Sequence, residues 1–362
     1  MAKRQLRCED YSVGWVCALP VELAAAQLML DEEHQPLDQD SNDSILYTLG
    51  RIGDHNVVIA CLPAGQVGPQ SAATVAMQMK TSFPSIRFGL MVGIGGGVPN
   101  EEADIRLGDV VVSQPHQVHG GVVQYDFGKA TPSGFQRTGF LNMPPTILLH
   151  AVAKVRSNGF MGRSSLPAYV SKLSEIPAFQ RGNAGPDVLY KASYKHEGGS
   201  TCGSCNKEST VEREPRGNQE IVVHYGTIAS GNQVMRDGTT RDMLSSELGG
   251  VLCFEMEAAG LMNTFPCLVI RGICDYADSH KNKKWQPYAA GTAAAYAKEV
   301  LSVILARDVS TAPTIDEKMN QDEAGTHGHG RTQVTFGSNN TGFQVGVSYS
   351  PISGVSFGGR AT

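Results

Sequence analysis

Residues 88–97 read Phe88-Gly89-Leu90-Met91-Val92-Gly93-Ile94-Gly95-Gly96-Gly97. Up to Ile94 the run is apolar without polar alternation, which predicts a strand buried on both faces. The glycines after it suit a turn in which backbone approaches a ligand. Working outward, similar apolar runs occupy 11–18, 56–62 and 108–113, and later 224–229, 251–254 and 267–273. Helical patterns lie between them at 20–30, with Pro20 in the first turn, at 71–79, and in the Ala-rich stretch 291–305. Buried strands alternating with helices predict an α/β fold with a largely parallel or mixed sheet covered on both faces, in one large domain or two.

The chain has 362 residues, 41% hydrophobic and 18% charged, enough to bury a sizeable core. A net charge of -5 argues against nucleic-acid binding. Most of the eight cysteines sit in apolar runs, as in a reduced intracellular protein, and a cytoplasmic location is expected. The N-terminus has no apolar signal-like run and no stretch is long enough to span a bilayer, so no membrane role is expected. The rhythm breaks over about 157–215, which is polar and reads as an insertion or lid on a catalytic domain of 10–308. A flexible linker is expected over 309–333. Residues 334–362 are uncharged apart from Arg360, rich in Gly and Asn, and alternate with apolar residues. Such a segment suits either a cross-β signalling motif or a disordered tail.

The chemistry concentrates in two motifs. Cys253-Phe254-Glu255-Met256-Glu257-Ala258-Ala259-Gly260 places two carboxylates at what reads as a strand end leading into a helix over 258–263. An ionised carboxylate accepts two hydrogen bonds, so Glu255 or Glu257 suits the adjacent hydroxyls of a ribose, with Met256 packed beneath the ring. Arg271-Gly272-Ile273-Cys274-Asp275 follows. Asp275 falls at the carboxyl end of a strand, where α/β sheets bind ligands, and an acid there suits protonation of a leaving base. Taken alone, the Glu pair reads rather as a solvated strand edge and the Asp as a helix cap; the apolar surroundings and the flanking motifs turn the reading toward a site. After the acid comes Ser279-His280-Lys281-Asn282-Lys283-Lys284-Trp285. Lys283 and Trp285 would hold the phosphates of a nucleotide, unless the stretch is a solvated loop. No Walker-type loop exists, so nucleotide use would mean base removal. His196, Cys202, Cys205 and His224 offer a zinc set, but a single Cys-x-x-Cys is a weak signal. Free thiols are the expectation, with no metal and no cofactor.

Together with Ala18-Leu19-Pro20-Val21-Glu22, Gly93-Ile94-Gly95-Gly96 and Ser230-Gly231-Asn232-Gln233-Val234-Met235, these motifs resemble the nucleoside phosphorylase and nucleosidase superfamily over about 12–305. They look closest to the domains of that family in fungal immune-type receptors. The resemblance implies a single large α/β domain with a central mixed, partly barrel-like sheet flanked by helices, and a homo-oligomer. It implies that Met256 and Glu257 contact ribose, that Asp275 protonates the base, and that Glu22 activates water. Asn232, Val234 and Met235 would form the base pocket, and Gly95 and Gly96 the sugar and nucleophile side. The phosphate-holding arginines of phosphorylases are missing from 14–26 and 91–99, which favours hydrolysis. The expected substrate is a purine nucleoside or nucleotide, with adenine the favoured base and ATP in view. Two alternatives stay open: a phosphorylase, and a silent nucleotide sensor. The tail resembles fungal amyloid-signalling motifs, which implies a receptor partner.

Overall fold

The computed structural model describes residues 3–37, 43–199, 201–217 and 221–318. The expected tail at 334–362, and the linker beyond 318, lie outside the described residues.

In chain order, β1 (Val13–Cys17) leads into α1 (Pro20–Met29), then β2 (Glu32–Glu33), β3 (Tyr47–Ile52) and β4 (His55–Cys61). Next come α2 (Pro69–Ser82), β5 (Phe88–Gly97), β6 (Val110–Ser113), β7 (Val122–Gln124) and a hairpin of β8 (Gly128–Thr131) and β9 (Gly134–Arg137). Three helices follow, α3 (Thr146–Phe160), α4 (Leu166–Leu173) and α5 (Arg181–Ala184). After them stand β10 (Val223–Gly226), β11 (Ile228–Ser230), α6 (Gly238–Glu247), β12 (Cys253–Glu255), β13 (Cys267–Asp275), α7 (Gln286–Ser302) and α8 (Ala306–Thr311).

Among the described residues, eleven strands form one mixed sheet whose main path runs β10-β6-β13-β5-β1-β4-β3-β2. β1 pairs in parallel with β4 and β5, and β13 in parallel with β5. Both faces are covered, which is why these strands carry no polar alternation. Val13, Trp15 and Cys17 pack on one side with α1 and α7 (Ala25, Ala293), and Val16 packs on the other with Met79 of α2. The alanines of α7 let it lie close on the sheet. A Cβ on Gly272 of β13 would sit 1.8 Å from the Ala289 carbonyl oxygen, so only glycine fits there.

The α/β fold with a central mixed sheet is as the sequence implies, and several boundaries differ. β5 continues through Gly95–Gly97, because those glycines pair with β13 on one side and β12 on the other. The run 224–229 is two strands, since β10 pairs with β6 while β11 joins β7 and β12. The helix expected at 258–263 is a single 3-10 turn, Ala258–Gly260. Position 157 falls in the last turn of α3. Among the described residues no helix is long and apolar enough to cross a membrane.

Candidate active site

The site forms where β5 changes partners. Its first half pairs with β1 (Val13↔Phe88 to Val16↔Met91), and its end pairs with β12 (Phe254↔Gly96). The sheet opens between those neighbours into a cavity of about 390 Å³. Glu22, Ile94, Gly95, Gly96, Phe254, Glu255, Met256, Glu257, Cys274 and Asp275 line it. A roomier cavity of about 800 Å³ lies among α3, α4 and α7, around Arg156, Tyr225 and Glu299. It gathers no comparable set of acids, so chemistry and not volume identifies the site.

Glu22 is positioned by the start of α1. Pro20 opens the helix, and the Glu22 carboxylate reaches back to the free amides of the first turn. Its Oε2 accepts from the Ala18 and Leu19 N–H groups at 2.7 and 2.9 Å, and its Oε1 accepts from Ile94 N–H at 2.8 Å. Burial raises its pKa above the usual carboxylate value, against the opposing pull of Arg271 and those amides.

Arg271 was not assigned a role from the sequence, although an arginine inside an apolar strand run signals a buried ion pair. It is completely buried and stands opposite Gly93 in the β13–β5 register. A Cβ at Gly93 would lie 2.6 Å from both the guanidinium and the Glu22 carboxylate, so glycine here makes room for the charges. The guanidinium pairs with Glu255, reaches Glu257 at 3.3 Å and donates to the Ile94 carbonyl at 3.3 Å. Three buried acids thus share one cation.

The two glutamates of the Glu-x-Glu are not equivalent. Glu255 also accepts from the Glu257 and Ala258 N–H groups, at 3.1 and 3.0 Å, and so is largely committed to holding the turn. Glu257 accepts one long bond from Gly68 N–H at 3.3 Å besides Arg271, which leaves it capacity for a ligand. Burial pushes its pKa up to about 7, with Arg271 opposing and the neighbouring carboxylates adding to the rise.

Asp275 ends β13 just after a register shift between Ile273 and Asp275, which re-aims the strand end toward the cavity. Its carboxylate accepts from Ala277 N–H at 2.9 Å and from the Cys274 thiol at 3.3 Å, and pairs with Lys281 at 2.9 Å. Ala277 takes a φ of 51°, a left-handed conformation costing about 1 kcal/mol in a residue with a Cβ. Asp278, the neighbouring acid, is turned away onto His280.

The remaining expected residues divide. Val234, Met235 and Lys283 line the cavity, with Gln233, Arg236, Lys281 and Asn282 beside them. Asn232 does not. Its N–H donates to Asp126 at 2.6 Å and its side chain lies against Gly68, because Asp126 and Tyr125 hold this turn in place. Trp285 does not either. It is a core residue whose indole N–H donates to the Pro186 carbonyl at 3.3 Å, while the Arg181 guanidinium covers its ring at 4.1 Å.

Residues 12–306 match the Phosphorylase superfamily. Over 301 residues the chain is 50% identical to a nucleotide-binding leucine-rich repeat (NLR)-like protein of Hyaloscypha variabilis, covering 82% of this chain and 30% of that protein. It is 25% identical over 304 residues to a 5'-methylthioadenosine/S-adenosylhomocysteine nucleosidase of Mycobacterium bovis, covering 81% and 96%. It is 25% identical over 295 residues to the ATP nucleosidase Cap17 of Escherichia coli, covering 78% and 49%. The chain therefore spans less than a third of its fungal relative and about half of Cap17. The 5'-methylthioadenosine/S-adenosylhomocysteine nucleosidase of Neisseria meningitidis has a similar fold, with a TM-score of 0.53 at 16% identity over 81% of this chain and 99% of that one. With a family match spanning β1 to α7 and the motif residues gathered around one cavity, the chain belongs to the phosphorylase superfamily.

Proposed function

We propose that this chain hydrolyses the N-glycosidic bond of a purine nucleoside or nucleotide and releases the free base, with adenine as the base. The observation that carries this is the commitment of Arg271. The fully buried Arg271 guanidinium is engaged by Glu255 and Glu257, so among the described residues the nucleophile side offers the Glu22 carboxylate and no uncommitted buried cation. A phosphate dianion would meet Glu22, whereas a water would find a base. Glu22 Oε2 already accepts two amides and Oε1 only one, so the free lone pair for a water proton is on Oε1.

In this reading Glu257 and Met256 hold the ribose, and Asp275 gives its proton to the imidazole nitrogen of the purine. The bond from the anomeric carbon to the base breaks with its electron pair going to the base. The sugar gains oxocarbenium character, which the surplus of buried carboxylates favours. Water adds to that carbon as Glu22 takes its proton. Val234, Met235 and Phe254 supply apolar walls for the base.

Lys283 and Arg236 are exposed residues on the rim of the cavity, chemistry suited to the phosphates of a nucleotide. The name of Cap17 supports a nucleotide substrate, and that of the bacterial relative supports a nucleoside. The NLR-like relative supports an immune-type role in which the chain is a module of a larger system. The test is incubation with adenosine and with ATP, each with and without phosphate, following free adenine by chromatography. Adenine release without phosphate is expected. Release only with phosphate would establish a phosphorylase, and tight binding without release would establish a sensor.

A further inference from the structure

We propose that His196, Cys202, Cys205 and His280 bind a zinc ion that ties the inserted segment to the loop carrying Asp275. His196 Nδ1 and the sulfurs of Cys202 and Cys205 all lie within 4.8 Å of one another. Nδ1 is 3.3 Å from Cys205 Sγ and 3.8 Å from Cys202 Sγ. A tetrahedral zinc with Zn–S of about 2.3 Å and Zn–N of about 2.0 Å sets its N···S edges at about 3.6 Å, between those distances. Both cysteines are free thiols.

The imidazole tautomers fit an ion better than a thiol hydrogen bond. His196 Nε2 lies 2.9 Å from the Gly199 carbonyl oxygen, which can only accept, so the ring proton sits on Nε2 and Nδ1 presents its lone pair to the sulfurs. One lone pair accepts one well-aligned thiol proton, yet two sulfurs converge on it.

His280 supplies the fourth ligand. It is more than nine-tenths buried, and its Nε2 has no hydrogen-bond partner. Its Nδ1 lies 3.2 Å from the Asp278 carboxylate, an acceptor that places the proton on Nδ1 and leaves the lone pair on Nε2. A carboxylate behind a histidine is the arrangement that orients metal-binding imidazoles. The His280 and His196 rings stand 5.7 Å apart at 85°. Two imidazoles on one tetrahedral ion have centroids on the order of 5 Å apart; the ring nitrogens of His280 stand outside the close group of the other three, so the ring moves in when the ion binds. Tyr190 stacks on His280 at 4.1 Å and fixes its plane. His224, grouped with these residues by sequence, is instead 3.0 Å from Asp109 and takes no part.

The ion would join parts distant in sequence. His196, Cys202 and Cys205 belong to the insertion, and His280 precedes Lys281, the partner of Asp275. Ser279 Oγ already accepts from His196 N–H at 3.0 Å along the same seam. Zinc here is structural, with four protein ligands and no open position.

The test uses the full chain, purified reduced and without a metal-affinity tag, equilibrated with zinc, desalted, and assayed by plasma mass spectrometry. About one zinc per chain is expected, released by chelator, and cobalt substituted for it should give the visible spectrum of a tetrahedral site with two thiolates. The double variant C202S/C205S should hold no zinc. H280A should weaken zinc at least about tenfold and alter the cobalt spectrum. Failure of the wild-type chain to retain zinc or cobalt would overturn the proposal without any variant. Equal zinc on C202S/C205S would overturn it too, as would unchanged affinity and spectrum in H280A. None of these readings depends on turnover, so they stand or fall apart from the hydrolase reading.

Discussion

Arg271 Nη2 lies 3.3 Å from Glu257 Oε2 and pairs through the same nitrogen with Glu255, and all three side chains are buried. Glu22 approaches the same guanidinium across Gly93. This cluster joins β13, the turn after β12 and the start of α1, so it is at once a packing element and a site. Arg271→Gln would leave buried carboxylates without their cation. A loss of about 3–5 kcal/mol is expected, read as a lower urea midpoint together with loss of base release. A variant as stable as wild type would mean that the pairs contribute nothing to the fold.

Glu22→Gln should reduce kcat by about 10²–10⁴-fold with little change in substrate affinity. The base works as the carboxylate, and burial raises its pKa. Wild-type kcat/KM should therefore climb with pH, with an acid limb centred above the ordinary carboxylate range. A profile flat from pH 4 to 8, on the order of the carboxylate range and beyond, would remove Glu22 from the role.

Asp275→Asn should slow release of adenine by about 10²-fold or more. The loss should shrink for substrates whose base leaves as a stable anion, because such a base needs no proton. Equal losses on good and poor leaving groups, measured under single-turnover conditions, would show that Asp275 holds the substrate and is not the acid.

Glu257 holds its proton more tightly folded, with a pKa of about 7 against an ordinary value of 4.5. The folded state thus carries the extra proton between those values. This contribution to stability is present below the lower value and is lost as the pH rises through the upper one. Chemical denaturation of wild type and Glu257→Gln across that window should show wild type losing stability relative to the variant. A difference independent of pH would contradict the buried, raised carboxyl.

Lys283→Ala should raise KM for ATP by about tenfold, the equivalent of roughly 1.4 kcal/mol, and leave KM for adenosine unchanged. Steady-state assays on both substrates read this directly. Equal effects on both would take the lysine away from the phosphates.

Much of this site was legible in the sequence because its motifs are local. The loop at Glu22, the glycines of β5, the Glu-x-Glu and Asp275 each sit at a strand end, and strand ends in such a sheet meet at one edge. Arg271 was visible as a charge in an apolar strand, but its partners are separated from it by a turn and a crossover. Asn232 and Trp285 do not line the cavity, because residue type says what a side chain can bind, while its direction depends on neighbours such as Asp126 and Pro186.

Composition and periodicity by themselves determined the alternating strands and helices and the buried sheet, since these follow from local hydrophobic pattern, while the candidate acids were legible only through motifs that resemble those of the superfamily. The tertiary structure decided which acids share Arg271 and which glutamate keeps a free acceptor. It also brought His280 beside His196, Cys202 and Cys205. Those outcomes depend on strand register and on contacts between residues far apart in the chain, which no local pattern encodes.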